Sequence, residues 1–249
     1  MFEPRLYRNS FNSERFSSFT LHYRDTDVWV GVDRDSFRKE MAGTAREIIM
    51  DLWQMFETYG TLHPEFFTSH KPLILLESAP DEARLMAEAG ARTQTGPMAA
   101  VAGLFAWRIG DSLRNAFPVR EVVVENGGDF YLLLENELSM TIFAGTSPLS
   151  DKIAVVIPAT GSPCGVCTSS GTVGHSFSYG KADAVMVACP SPVLADAWAT
   201  AMANRVQSPD DIPEVLSFSE DYPEIESIVI ICADKVGIRG NFEARMVKK

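Results

Sequence analysis

The chain has 249 residues, 46% of them hydrophobic and 22% charged, a composition too apolar for disorder and long enough to build a core without metal or disulfide staples. Its 22 Lys+Arg stand against 33 Asp+Glu, a formal charge of −11, and no basic run, Lys248-Lys249 included, exceeds two residues, which argues against a nucleic-acid partner. The most apolar stretches, Val122–Val124, Ile153–Ile157 and Ile228–Cys232, are far below the roughly 18 residues that span a bilayer, so no membrane partner is expected.

In chain order, Phe19–Arg24 alternates apolar and polar residues and Asp27–Asp33 is a second strand-like run after a turn-like Asp25-Thr26, which predicts a hairpin. A helix is expected from Asp35 or Ser36, with Phe37, Met41, Ala45, Ile48, Ile49, Leu52, Met55 and Phe56 spaced in threes and fours. A turn-rich connector, His63 to Pro72, leads to the apolar run Leu73–Leu76. Ala79-Pro80-Asp81-Glu82 starts a short helix ending at Gly90. A second helix is expected from Gly96-Pro97 to about Arg114, its first half made of small residues that permit close approach by another element, a ligand or a partner chain.

The second half reads as strands: Glu121–Val124, Phe130–Leu134, Leu138–Phe143, Ile153–Ile157, Ala184–Ala188 and Ser227–Cys232. A Gly/Ser/Thr-rich loop is expected over Thr160–Gly180, a helix over Pro192–Val206, a solvated flap or lid over the acidic Asp210–Glu226, and a basic tail at the end. One α+β domain over residues 1–249 is the economical reading, with a break near residue 117 conceivable. The start Met1-Phe2-Glu3-Pro4-Arg5 lacks a signal-peptide pattern, and four cysteines are too few for a disulfide scaffold, so a cytoplasmic protein is expected.

No G-x-G-x-x-G, Walker-type loop, nucleophile elbow or histidine metal spacing occurs. Four constellations remain. Asn126-Gly127-Gly128-Asp129 reads as a hairpin turn or as backbone exposed to a ligand, with Asp129 as its contact. Cys167 to His175 gathers hydroxyls, glycines and one imidazole, either a polar loop or an anion nest with His175 as an acid/base. Asp196 and Thr200 are four apart on a helix and share a face, which suits Mg²⁺ as well as it suits solvent. Cys164-Gly165-Val166-Cys167 is a C-x-x-C pair in the expected loop: redox-active, sulfur-carrying, half of a zinc site for which Cys189 and Cys232 do not supply the second pair, or two unrelated thiols.

In this order, Gly96-Pro97-Met98-Ala99-Ala100-Val101-Ala102-Gly103, Glu125–Asp129, Gly165–Ser176, Gly180–Ala184 and Ala195-Asp196-Ala197 resemble an uncharacterised ApbE-like family over roughly residues 15–235. Its members look like cytosolic relatives of the ApbE flavin transferases, which move FMN from FAD onto a protein Thr or Ser using Mg²⁺. The resemblance implies an ApbE-like α+β fold, mostly antiparallel, and a nucleotide ligand such as FAD. It implies that Gly127, Gly128 and Asp129 close over the flavin nucleotide, that Thr168, Ser169, Ser170 and Gly171 lie near its phosphates, and that His175 adjoins the pocket. Ala195-Asp196-Ala197-Trp198-Ala199-Thr200 matches the transferase pattern Ala-Asp-Ala-x-x-Thr, whose Asp and Thr ligate Mg²⁺. The transferase helix start Asp-x-Gly-Gly-x-Ala-Lys-Gly is not kept: Gly96–Gly103 carries neither that Asp nor that Lys, and Cys164 and Cys167 lie outside the transferase pattern. Three functions stay open: Mg²⁺-dependent flavin or nucleotidyl transfer, sulfur handling with Cys167 or Cys164 as catalytic thiol, and nucleotide binding without turnover. A homo-oligomer is compatible with each.

Overall fold

The computed structural model describes residues 14–159, 161–172 and 179–247. Eight strands form one antiparallel sheet in the order β1-β2-β3-β4-β7-β8-β9-β10. They are β1 (Phe16–Tyr23), β2 (Thr26–Asp33), β3 (Val122–Asn126), β4 (Asp129–Leu133), β7 (Cys164–Ser169), β8 (Ala184–Cys189), β9 (Ser227–Cys232) and β10 (Lys235–Gly240). A smaller sheet, β11-β6-β5, joins β5 (Leu138–Thr141), β6 (Ile153–Ile157) and β11 (Glu243–Met246). The helices are α1 (Met41–Leu62), α2 (Glu65–Thr68), α3 (Asp81–Thr93), α4 (Val101–Ala116), α5 (Pro192–Arg205) and α6 (Ile212–Phe218).

Alternation along each strand divides the interior. Val28, Val30 and Val32 of β2, Val122 and Val124 of β3, and Tyr131 and Leu133 of β4 face the apolar stripes of α1, α3 and α4. Cys167 of β7, Val185 and Val187 of β8, and Ile228 and Ile230 of β9 continue that face beneath α5 and α6. Phe130, Leu132, Cys164, Val166, Met186, Val229 and Ile231 point the other way, onto Leu138, Ile153, Val155 and Ile157 of the small sheet.

Most expected elements form within a few residues, and the small-residue segment becomes one 3₁₀ turn, Pro97–Ala100, leading into α4. The differences have local causes. Cys164–Ser169 is a strand and not loop, because it pairs with β4 on one side and β8 on the other. Part of the expected flap is α6, which seats Ile212 and Val215 in the core beside β9 and β10. The expected tail turns back at Ala233 (φ 54°) and pairs as β10, after which β11 joins the small sheet.

Two carboxylates fasten the start of β1 and the end of β2. Burial opposes the charge on Asp33, but amides of Glu121, Ser36 and Arg120 donate to it and outweigh that cost, so its pKa falls below the usual carboxylate value. Burial likewise opposes the charge on Glu121, and the Arg15 guanidinium with the amides of Asn136 and Glu135 outweighs it. Carboxylates depressed in the folded state stabilise it above their unfolded pKa of about 4 and lose that contribution as pH falls further. Urea unfolding from pH 7 to pH 3 is expected to show stability dropping below about pH 4. Glu121→Gln should cost about 1–3 kcal/mol at pH 7 and flatten the acid limb.

Candidate functional site

Four segments converge at the end of the large sheet where β3 turns into β4. The β3–β4 hairpin closes on Gly127 (φ 73°) and Gly128 (φ 101°), with Asn126 paired to Asp129. Two successive positive φ angles give the tight turn whose twist matches the flanking strands, and Gly-Gly adopts them without steric cost. Asp129 thereby becomes the first residue of β4, on the same face as Tyr131, and lies directly across from Cys167 of β7. Its Oδ1 accepts the Thr168 amide at 3.3 Å.

Helix α5 supplies the second carboxylate. Ten of its 14 residues are buried, so it lacks a wet face, and Asp196 is the charged residue among them. The start of α4 comes close enough that a Cβ on Gly103 would lie 2.4 Å from the Pro192 carbonyl oxygen and 2.8 Å from Asp196 Cβ. Glycine is required there, and its amide donates to Asp196 Oδ2 at 2.8 Å. The Ala102 carbonyl accepts from Asn126 Nδ2 at 3.2 Å, which ties the same helix end to the hairpin. Of the small residues of Gly96–Gly103, Gly103 thus serves the approach of α4 to α5, while Gly96 lies against the Ser69 backbone.

The electrostatics of this cluster are unfavourable by themselves. Burial raises the Asp129 pKa well above the usual value, and the nearby Asp196 charge raises it further. Asp196 is pushed up to about 7 by burial, against the opposing pull of the Gly103 and Ala102 amides. Two buried carboxylates at close quarters favour a shared proton or a cation. Ser169, two residues beyond Cys167 on the face of β7 toward α5, is 5% exposed, and its hydroxyl has no partner among the described residues. A buried orphan hydroxyl beside an acid pair is an unmet donor and acceptor. Thr200, one helical turn beyond Asp196, is half-buried.

The other expected site residues fall into place differently. The Thr168 amide contacts Asp129, while its side chain is on the opposite face of β7 from Asp129. The Ser170 hydroxyl accepts the Thr172 amide, Thr172 Oγ1 donates to Asp183, and Gly171 bonds the Ala182 carbonyl, so Ser170 and Gly171 close a loop. A Cβ on Gly171 would lie 2.0 Å from the Gly180 carbonyl oxygen. His175 lies outside the described residues. No group of three or more His, Cys, Asp or Glu suited to a metal occurs among the described residues, so any metal here would rest on the carboxylate pair, hydroxyls and the ligand's own oxygens.

The cysteine pair requires correction. Three residues apart on a strand, Cys164 and Cys167 point to opposite faces of the sheet, one onto the small sheet and the other under α5. They cannot join in a disulfide across the sheet. Burial pushes the Cys164 thiol up to about 12. Burial and the charges of Asp129 and Asp196 push Cys167 well above its ordinary value, and its Sγ donates to the Pro192 carbonyl at 3.5 Å. The surroundings of both thiols favour the neutral form, the opposite of the lowered thiolate that sulfur handling would use. Cys167 is buried among the residues under α5, directly across from Asp129.

Sequence reasoning missed Gly103 and Asn126 as the groups that hold the acids in place. The run of small residues was their signal, but spacing alone does not say which neighbour approaches.

A carboxylate whose folded-state pKa is raised binds its proton more tightly in the folded protein, so stability is gained as pH falls through that pKa and lost above it. In metal-free buffer the protein is expected to melt higher at pH 6 than at pH 8. Asp196→Asn should raise the melting temperature at pH 8 by ~2–8 °C and reduce that difference, leaving the part that the burial of Asp129 supplies. Gly103→Ala should lower it at either pH, since the new methyl meets backbone.

The comparisons agree with this architecture. The chain matches the family model described as AbpE bacteria over residues 8–217. It is 35% identical to a UPF0280 protein of Methanocaldococcus jannaschii over 222 residues, 87% of this chain and 88% of that one. A UPF0280 protein of Methanococcus aeolicus is 36% identical, over 90% of each chain. Among solved structures, the Pseudomonas stutzeri flavinyl transferase ApbE in its apo form aligns with a TM-score of 0.56 at 16% identity, covering 90% of this chain and 93% of that one. The ApbE protein of Thermotoga maritima aligns with a TM-score of 0.56 at 10% identity, covering 91% and 97%. The chain belongs to the AbpE bacteria family and carries the ApbE fold, shared with flavin transferases.

Proposed function

We propose that the protein binds a flavin nucleotide, FAD in the first instance, with Mg²⁺ at the acid pair, and that Mg²⁺-dependent flavin or nucleotidyl transfer is the activity this site serves. The observation that carries the reading is the buried pair Asp129 and Asp196 at the meeting point of the hairpin, β7, α4 and α5, with the buried Ser169 hydroxyl on the same face of β7 and without a partner among the described residues. Family membership and the ApbE fold support it.

The residues suit such a group. Mg²⁺ is held through one or two carboxylates together with water and substrate phosphates, and Asp129 and Asp196 are carboxylates whose mutual repulsion a divalent cation relieves. Thr200 offers a hydroxyl one turn beyond Asp196. When bound, the cation would offset negative charge on a pyrophosphate. The chain's own contributions are distinct. The Gly103 amide orients Asp196, the Thr168 amide orients Asp129, and the Gly127-Gly128 turn offers backbone without side chains in the way. Until a cation arrives, the pair is relieved by holding a proton, so cation binding releases it.

Gly96–Gly103 lacks the Asp and Lys of the transferase helix start, so binding is the part of this reading that the residues support most directly. Calorimetry of FAD, with AMP and ADP as controls, tests it with and without Mg²⁺ on the intact chain and on Asp196→Asn. FAD is expected to bind at least ~10-fold more tightly with Mg²⁺, and Asp196→Asn to lose that gain. Equal FAD affinity with and without Mg²⁺ would remove the metal from the reading, and no nucleotide binding would remove the reading itself.

A further inference from the structure

We infer that Leu73–Leu76 is the pairing strand of a homodimer, laid antiparallel against the same segment of a second copy with Ile74 on the twofold axis. This run sits at the end of α1, where the surface is unusually apolar. Ile74 is 93% exposed, Leu62 63%, Leu76 40% and Phe67 39%. The Phe67 ring occupies the space beside Gly60, two residues before Leu62, and the Leu76 amide donates to Tyr59 Oη at 3.3 Å, so Phe67 and Leu76 both lie against the last turns of α1. A contiguous exposed patch of large apolar side chains marks an interaction surface more often than scattered single ones do.

The backbone argues for a strand partner. Burial alternates along the run, with Leu73 and Leu75 packed against the helical core and Ile74 and Leu76 turned out. The backbone groups of Leu73, Ile74 and Leu75 make no hydrogen bond among the described residues. In an extended chain, alternate residues present their polar groups to opposite edges. Leu76 turns its amide inward to Tyr59, so Leu73 and Leu75 turn theirs to the free edge. Pro72, which has no amide to offer, is on the inner edge with Leu76 and Ile74.

The charge pattern selects the occupant. With Ile74 opposite the partner's Ile74, Leu73 faces the partner's Leu75, Pro72 faces the partner's Leu76, and Lys71 faces the partner's Glu77. Both Leu73–Leu75 pairs then exchange hydrogen bonds, and Pro72 falls where no amide is needed. Opposite charges meet at both ends of the ladder. A slip of one residue would set Leu73 opposite Ile74, whose polar groups face inward. The segment is therefore self-complementary in hydrogen bonding, hydrophobicity and charge, which is what an isologous twofold contact requires.

Sedimentation velocity on the full chain should show a dimer. Ile74→Lys, at a nearly fully exposed position, should give a folded monomer, its fold checked by circular dichroism. Lys71→Glu and Glu77→Lys should each weaken the dimer about tenfold by placing like charges opposite one another, and the double swap should restore it. Non-hydrogen-bonded antiparallel partners hold their Cα atoms about 4.5 Å apart, within disulfide range, so Ile74→Cys should cross-link under mild oxidant. The native cysteines are buried and will not compete. A monomeric wild type, a dimer indifferent to Ile74→Lys, or a charge swap that fails to restore association would each overturn the inference.

Discussion

The structure depends on how closely α5 is pressed into its neighbours. A Cβ on Gly165 would lie 2.3 Å from Pro192 Cα, and one on Gly180 would lie 1.8 Å from the Ala203 carbonyl oxygen. With Gly103 on its flank, the helix meets glycine beneath its first turn, beside its second and near its end. Such approach is possible only where no side chain intervenes. It leaves α5 apolar nearly all round, the pattern of a helix enclosed by its own protein. A carboxylate within such a helix is costly, and Asp196 stands where that cost is highest.

The same seating explains why the acids meet. Asp129 is delivered by a hairpin whose geometry two glycines dictate, and Asp196 by a helix whose position three other glycines permit. Among the described residues, neither carboxylate is offset by a nearby Lys or Arg in the way Asp33 is by Arg120 and Glu121 is by Arg15. One pair of acids is tied down for stability, and the other is left to a proton or a cation. That contrast, within one sheet, separates structural carboxylates from those that suit a ligand.

Much of this was legible in the sequence. The four-residue spacing of Asp196 and Thr200, the Gly-Gly turn before Asp129 and the small residues ahead of α4 each stated a local geometry that the fold keeps. The cysteine pair misled because its C-x-x-C motif was read as part of the Thr160–Gly180 loop: in a loop the thiols can meet, but on β7 a spacing of three sends them to opposite faces. Strand β10 was invisible because its residues are largely exposed, so it carries no burial signal and is defined by pairing with β9. The acidic stretch concealed α6 because two buried residues, Ile212 and Val215, suffice to dock a seven-residue helix. Close approach between distant segments, as at Gly103, leaves no trace beyond the smallness of the residue.

The span of the Gly103–Asp196 contact has a consequence for how the chain assembles. The β1–β2 and β3–β4 hairpins close on two-residue turns, whereas this hydrogen bond joins residues 93 apart in sequence. Loop-closure entropy favours the short connections first and defers the long ones, which makes a sheet of this connectivity slow to form. The two acids are therefore kept apart through the early stages, each in water and freely ionised. The repulsion between them is an encounter of the finished molecule: it weighs on the lifetime of the native state far more than on the speed with which that state is reached.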